Sequence, residues 1–179
     1  MTIGFQVLAK GTFTGNQAAV VFTNIDQSYS HLQFEITARG SAAQTRVNLH
    51  MNMNQVITGS KYRLLGTQVQ SSSSGTAEIV NGIGPTSNPA FLHICGNTVQ
   101  ANQLTAVEAL IPNYSSTSFP KVAFGKSNAC DSSGSGANQK RRYVDMVYQD
   151  NSAITSISWN TGGTGYFING GSYIMGAWK

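Results

Sequence analysis

Residues 29–40 read YSHLQFEITARG and alternate without a slip. Leu32, Phe34, Ile36 and Ala38 fall on one side, His31, Gln33, Glu35, Thr37 and Arg39 on the other. Successive side chains of a strand point to opposite faces, so this is a strand with one buried and one open face. The open face is expected to carry an imidazole, a carboxylate and a guanidinium.

The same rhythm recurs along the chain. In 45–54, TRVNLHMNMN, Val47, Leu49, Met51 and Met53 oppose Arg46, Asn48, His50, Asn52 and Asn54. Strand-like runs are also read at 5–9, 18–23, 60–70, 76–80, 90–95, 119–125, 141–149, 153–159 and 172–178, where Val, Ile, Thr and aromatic residues dominate. Only 103–112, QLTAVEALIP, is ambiguous. Its Leu, Ala and Glu suit a helix that Pro112 would stop, while its brevity and setting suit a strand. Runs SSSSG, NGIGPTSNP and ACDSSGSGANQ read as loops. Short strands at this spacing predict an all-β sandwich or barrel.

At 179 residues the chain suits one domain. Residues 1–23 are set apart as an extended N-terminal arm, and 24–179 as the sandwich. The arm carries Phe5, Val7, Leu8, Phe13, Val20, Val21 and Phe22, too apolar for a free tail, and is expected to reach a neighbour. Charged residues are 10% of the sequence, against about 25% in an average soluble protein. Such a surface is wet yet cheap to desolvate, which suits a protein that works in contact with others. The net charge of +4 is scattered apart from Lys140-Arg141-Arg142, which reads as a solvated strand start or a contact to protein, with nucleic acid the least favoured partner. The N-terminus has no basic start or long apolar region, so no signal peptide is read there. No apolar run approaches the ~20 residues of a membrane-spanning helix, and no membrane partner is expected.

Catalytic patterns are sparse. His31 and Glu35 lie about 13 Å apart along one strand, beyond hydrogen-bond reach, so the open face is not a dyad by itself. No serine sits in a G-x-S-x-G elbow. The seven acids form no recognisable glycosidase pair. In HMNMN the histidine falls opposite the methionines, so no soft-metal site is read, and no cofactor motif appears. The expectation is a non-enzymatic protein without cofactor. Cys95 reads as a core residue and Cys130 as an exposed loop residue, both reduced.

Four segments in register resemble a family of tailed-phage virion proteins. They are YSHLQFEITARG, the Asn-rich strand 45–54 with YRLLG at 62–66, VEALIPNYSSTSFPKV at 107–122, and NSAITSISW followed by GSYIMGAWK. The resemblance runs from about residue 22 to the end. It departs at the N-terminus and in KRRYVDMVYQD, which is more basic than the family's strand. It implies a jelly-roll-like antiparallel β-sandwich of the kind used in capsid cement or decoration proteins, head fibres and tail-fibre modules. One module with a short arm suits cement better than a fibre tip. The expected partners are the major capsid protein and further copies of the chain, as a homotrimer on the capsid exterior, assembled in the host cytoplasm. The alternative is a head-fibre or tail-fibre protein that binds a host receptor or surface glycan. Tyr29, Tyr62, Tyr114, Trp159 and Trp178 are the aromatics that would stack on sugars in that case. Candidate interface residues are Phe5, Val7, Leu8, Phe13, Arg141, Arg142, Tyr173 and Trp178.

Overall fold

The computed structural model describes residues 4–57, 61–70, 77–86, 89–99, 101–130, 139–163 and 165–179. Side chains of β6, Gln70, Cys130 and Gln139 lie outside this description, as do the expected loop SSSSG and all of DSSGSGAN.

Among the described residues twelve strands follow one another: β1 (Phe5–Thr12), β2 (Ala19–Phe22), β3 (His31–Ala38), β4 (Arg46–Met53), β5 (Tyr62–Gln70), β6 (Ala77–Thr86), β7 (Ala90–Cys95), β8 (Thr105–Pro112), β9 (Lys121–Cys130), β10 (Gln139–Tyr148), β11 (Ile157–Asn160) and β12 (Ser172–Trp178). They form two antiparallel sheets. One runs β1-β12-β3-β8-β9-β10-β5-β6 and the other β2-β11-β4-β7. The chain crosses between sheets again and again, so neighbours in the four-stranded sheet come from distant parts of the sequence. That alternation makes a jelly-roll-like sandwich, with the meander β8-β9-β10 widening one sheet.

The ambiguous 103–112 is a strand. Val107, Ala109 and Ile111 are buried while Ala106, Glu108 and Leu110 are exposed, a period of two that no helix gives. Between the sheets Leu32, Phe34, Leu49, Met51, Met53, Phe91, Ile111, Met146 and Trp159 form one core. Phe34 meets Trp159 edge-on at 5.5 Å, the favoured geometry for aromatic pairs.

Four expectations are corrected. From Phe5 onward the segment read as an arm belongs to the sandwich: β1 pairs with β12, β2 pairs with β11, and Phe13, Val20 and Phe22 enter the core. Burying those apolar side chains within the chain satisfies them as well as a neighbour would. Residues 81–86 of the expected loop NGIGPTSNP belong to β6, which continues to Thr86 with two irregularities against β5, while 87 and 88 lie outside the described residues. Cys130 is the last residue of β9 rather than a loop residue. The polar side of β4 is covered at His50 and Asn52, with the turn at Gly162 against the His50 ring.

Candidate functional site

The outer face of the eight-stranded sheet is built by the alternate residues that the core does not take. Register sets them in rows across the strands. One row runs Val7, Gly176, Gln33, Leu110, Phe124, Asp145 and Leu65. The next runs Lys10, Ile174, Glu35, Glu108, Lys126, Tyr143 and Thr67.

Large apolar side chains stand on this face in the open. Leu65 is 61% exposed, Phe124 45%, Tyr143 46% and Leu110 38%, with Val7 and Val69 also exposed. A shallow groove of about 370 Å³ runs between Leu110, Phe124 and Tyr143, edged by Gln33, Lys126 and Asp145. Most charges beside it have company. Lys126 meets Glu108 at 2.8 Å, and the hydrogen bond it donates to that carboxylate raises the lysine's pKa. Gln33 donates to Glu35 at 3.2 Å.

At the β1 end, the Phe5 ring lies over Gly176, where a Cβ would collide with it, and 5.1 Å from the Trp178 ring. The Trp178 indole N–H donates to Gln33 Oε1 at 3.2 Å. The structure thus joins Phe5, Val7 and Trp178 on one face. Arg141 is on the same face, some strands away, beside Asn128 and Tyr143. The other candidates are elsewhere. Leu8 is half-buried beneath β1, Phe13 is buried against Phe167, and Tyr173 leans on Phe13 and Phe22 inside the sandwich.

Arg142 corrects the reading of 140–142 as a solvated strand start. Lys140 and Arg142 face inward and only Arg141 faces out. Arg142 Nη1 donates to His93 Nε2 at 2.5 Å and Nη2 to the Ala90 carbonyl at 2.8 Å. Burial first, then Arg142, Arg46 and Lys140, push the His93 pKa down to about 2. The ring is neutral at pH 7 and carries its proton on Nδ1, since Nε2 accepts. Arg39, expected on the open face, is buried as well, donating to the Asn97 and Val99 carbonyls at 3.0 and 3.1 Å. Its strand has ended by then, and the guanidinium holds the 97–99 loop.

His31 Nδ1 accepts the Asn113 amide at 3.3 Å, so the imidazole ties β3 to the turn after β8. Glu35 has Glu108 directly opposite on β8, and the two carboxylates accept hydrogen bonds from Gln33 and Lys126 respectively. Tyr62, Tyr114 and Trp159 are buried and present no face to a sugar. Among the described residues, no three His, Cys, Asp or Glu side chains gather where they could hold a metal ion.

Leu65, Leu110, Phe124 and Tyr143 are the face residues that sequence reading did not single out. Their signal was present: each is a large apolar residue out of phase with its strand. Leu65 follows the inward Leu64, Phe124 follows the inward Ala123, Leu110 lies between the inward Ala109 and Ile111, and Tyr143 precedes the inward Val144.

No protein-family model matches the chain, and no curated protein matches it significantly. Among solved structures, a chain of the infectious bursal disease virus Gx strain aligns at 14% identity and TM-score 0.19, over 99% of this chain and 41% of that one. The Gt strain of the same virus gives 12% identity and TM-score 0.18, over 99% and 42%. The VP2 subviral particle of infectious bursal disease virus gives 13% and 0.16, over 99% and 41%. The chain spans about two fifths of the length of these structures. At such scores the likeness carries no inference about this chain.

Proposed function

We propose that the chain is a non-enzymatic virion structural protein, a capsid cement that docks through the open face of its eight-stranded sheet. The observation that carries this is the set of out-of-phase side chains, Leu65, Leu110, Phe124 and Tyr143, standing exposed on one face. Contiguous apolar patches on a protein surface mark sites of contact. Eight strands spaced ~4.8 Å apart, with two residues per ~6.7 Å row over some three rows, give a face of roughly 750 Å². That is close to the ~800 Å² each partner contributes to a specific interface. Covering the Glu108–Lys126 pair costs desolvation that its own attraction offsets only in part, so the apolar side chains supply the gain.

The phage-protein resemblance of the sequence supplies the partner, the outer surface of a capsid built from the major capsid protein. In this reading three copies sit together at three-fold or pseudo-three-fold positions, where three weak contacts engage at once and linkage raises the total avidity. The protein stabilises the shell and does no chemistry.

Stoichiometry in purified particles, relative to the major capsid protein, is the test. Hundreds of copies are expected; a handful would fit a head or tail fibre that binds a receptor or glycan. Phe124→Glu and Leu65→Glu should leave the fold intact and abolish attachment to particles. Attachment at wild-type strength by both variants would overturn the docking face.

A further inference from the structure

We propose that β1 is exchanged between copies of this chain, so that residues 5–13 of one copy pair with β12 of the next. The inference deepens the self-association in the proposed function but stands apart from the docking face.

Three observations carry it. First, β1 is loosely held. It lies at an edge of the sheet, and among the described residues β12 is the one strand with which it pairs. None of its side chains is fully buried. On the core side Leu8 and Ala9 are only half-buried, and a cleft of about 390 Å³ is lined by them together with Val21 and Phe22 of β2 and Ile25 in the segment after it. Elements with few buried contacts open locally at low cost.

Second, the segment ends in an anchor. Phe13 is 2% exposed, stacks on Phe167 at 4.5 Å and donates its amide to the Gly171 carbonyl at 2.9 Å. An aromatic that fills a preformed pocket is the kind of group that carries an interface.

Third, the hinge is short and bent. Gln17 is fixed again by its backbone bridge to Phe167, leaving only residues 14–16 between two anchored points. Within them Gly15 has φ +91° and Asn16 φ +50°, consecutive left-handed residues that make the chain fold back. Short strained hinges favour exchange, because an open hinge relaxes while every other contact is reproduced in the partner. Fully extended, residues 13–17 span roughly 14 Å. The exchanging copies must therefore lie edge to edge along β1 and β12.

Register supplies a direct test, since Lys10 lies opposite Ile174 on the outer face. In a Cys130→Ser background, Lys10→Cys and Ile174→Cys chains are refolded together and mildly oxidised. A disulfide joining the two different chains is expected, because it forms only between copies. The doubly substituted chain should run as covalent oligomers on non-reducing denaturing gels. A doubly substituted protein that sediments as an oligomer yet links only within chains would overturn exchange while leaving self-association and docking intact. A monomer by sedimentation would overturn exchange and the trimer, with particle binding still reporting on the face. If the cysteine chains fold poorly, lengthening the hinge by three glycines after Asn16 replaces them. It relieves the bend, so a clear shift from oligomer to monomer is expected, and an unchanged oligomer would count against exchange.

Discussion

At the scale of the residue, the inward-facing cations are the least ordinary feature. Arg142 is buried and hydrogen-bonded to the His93 ring and the Ala90 carbonyl. Removing it by Arg142→Ala strands the groups it served, and the expected loss is about 2–3 kcal/mol in denaturant unfolding. His93 gives a pH signature. Its folded pKa is depressed to about 2, against an ordinary value of 6.5. Below pH 6.5 the unfolded chain binds a proton there that the folded chain refuses. The stabilisation is full above pH 6.5 and falls as pH drops, by about 1.4 kcal/mol per pH unit toward the folded pKa. Urea titrations at pH 7 and pH 5 should show this slope, and His93→Gln should flatten it. An unchanged slope in the variant would place the proton uptake elsewhere. Asp150 acts in the same direction at lower pH. Its pKa is depressed by its hydrogen bonds from Lys61 and Ser152, so its contribution is lost only in stronger acid. Cys95 is buried, with the Thr105 hydroxyl against its sulfur at 3.1 Å, and should resist alkylation until the protein unfolds. Rapid labelling of Cys95 in the native state would contradict that burial.

At the scale of the element, period-two alternation marked β3 and the first half of β4, whereas β7, buried from Phe91 to Cys95, was legible only from its apolar composition. Leu32, Phe34, Ile36 and Ala38 are buried as the alternation requires. Alternation failed where a second surface covers the polar side, as at His50 and Asn52, or where a strand ends, as at Arg39. It also gives no warning about β1 and β2. An apolar terminal segment reads alike whether its sheet partner is in its own chain or the next. The candidate face was legible only in part. Phe5, Val7 and Trp178 stood out as apolar residues near chain ends, while Leu65, Leu110, Phe124 and Tyr143 looked like core until the phase of each strand was fixed. Phe13 tests the β1 anchor. Phe13→Ala leaves a cavity beside Phe167 and should cost about 3–5 kcal/mol if the site does not collapse. Phe5→Ala removes only an exposed ring against Trp178 and should cost far less. Chemical denaturation compares the two directly, and equal losses would mean that β1 is held along its length rather than at its end.

At the scale of the whole molecule, two sheets divide the work. The four-stranded sheet closes the core and the eight-stranded sheet offers a broad surface with apolar groups along it. Sparse charge matters here, because covering a face rich in unpaired ions would cost desolvation that weak contacts do not return. An interface built from Leu65, Phe124 and Tyr143 gains most of its free energy from apolar burial and depends little on salt. Attachment to particles should therefore persist as ionic strength rises well above physiological, where a contact made by Arg141 and other exposed cations would weaken steeply. The comparison is a salt series of particle binding for the wild type and for Arg141→Ala. Similar binding at every salt concentration for both proteins is expected. Strong salt sensitivity that Arg141→Ala removes would shift the docking contact from the apolar groove to the cationic end of the face.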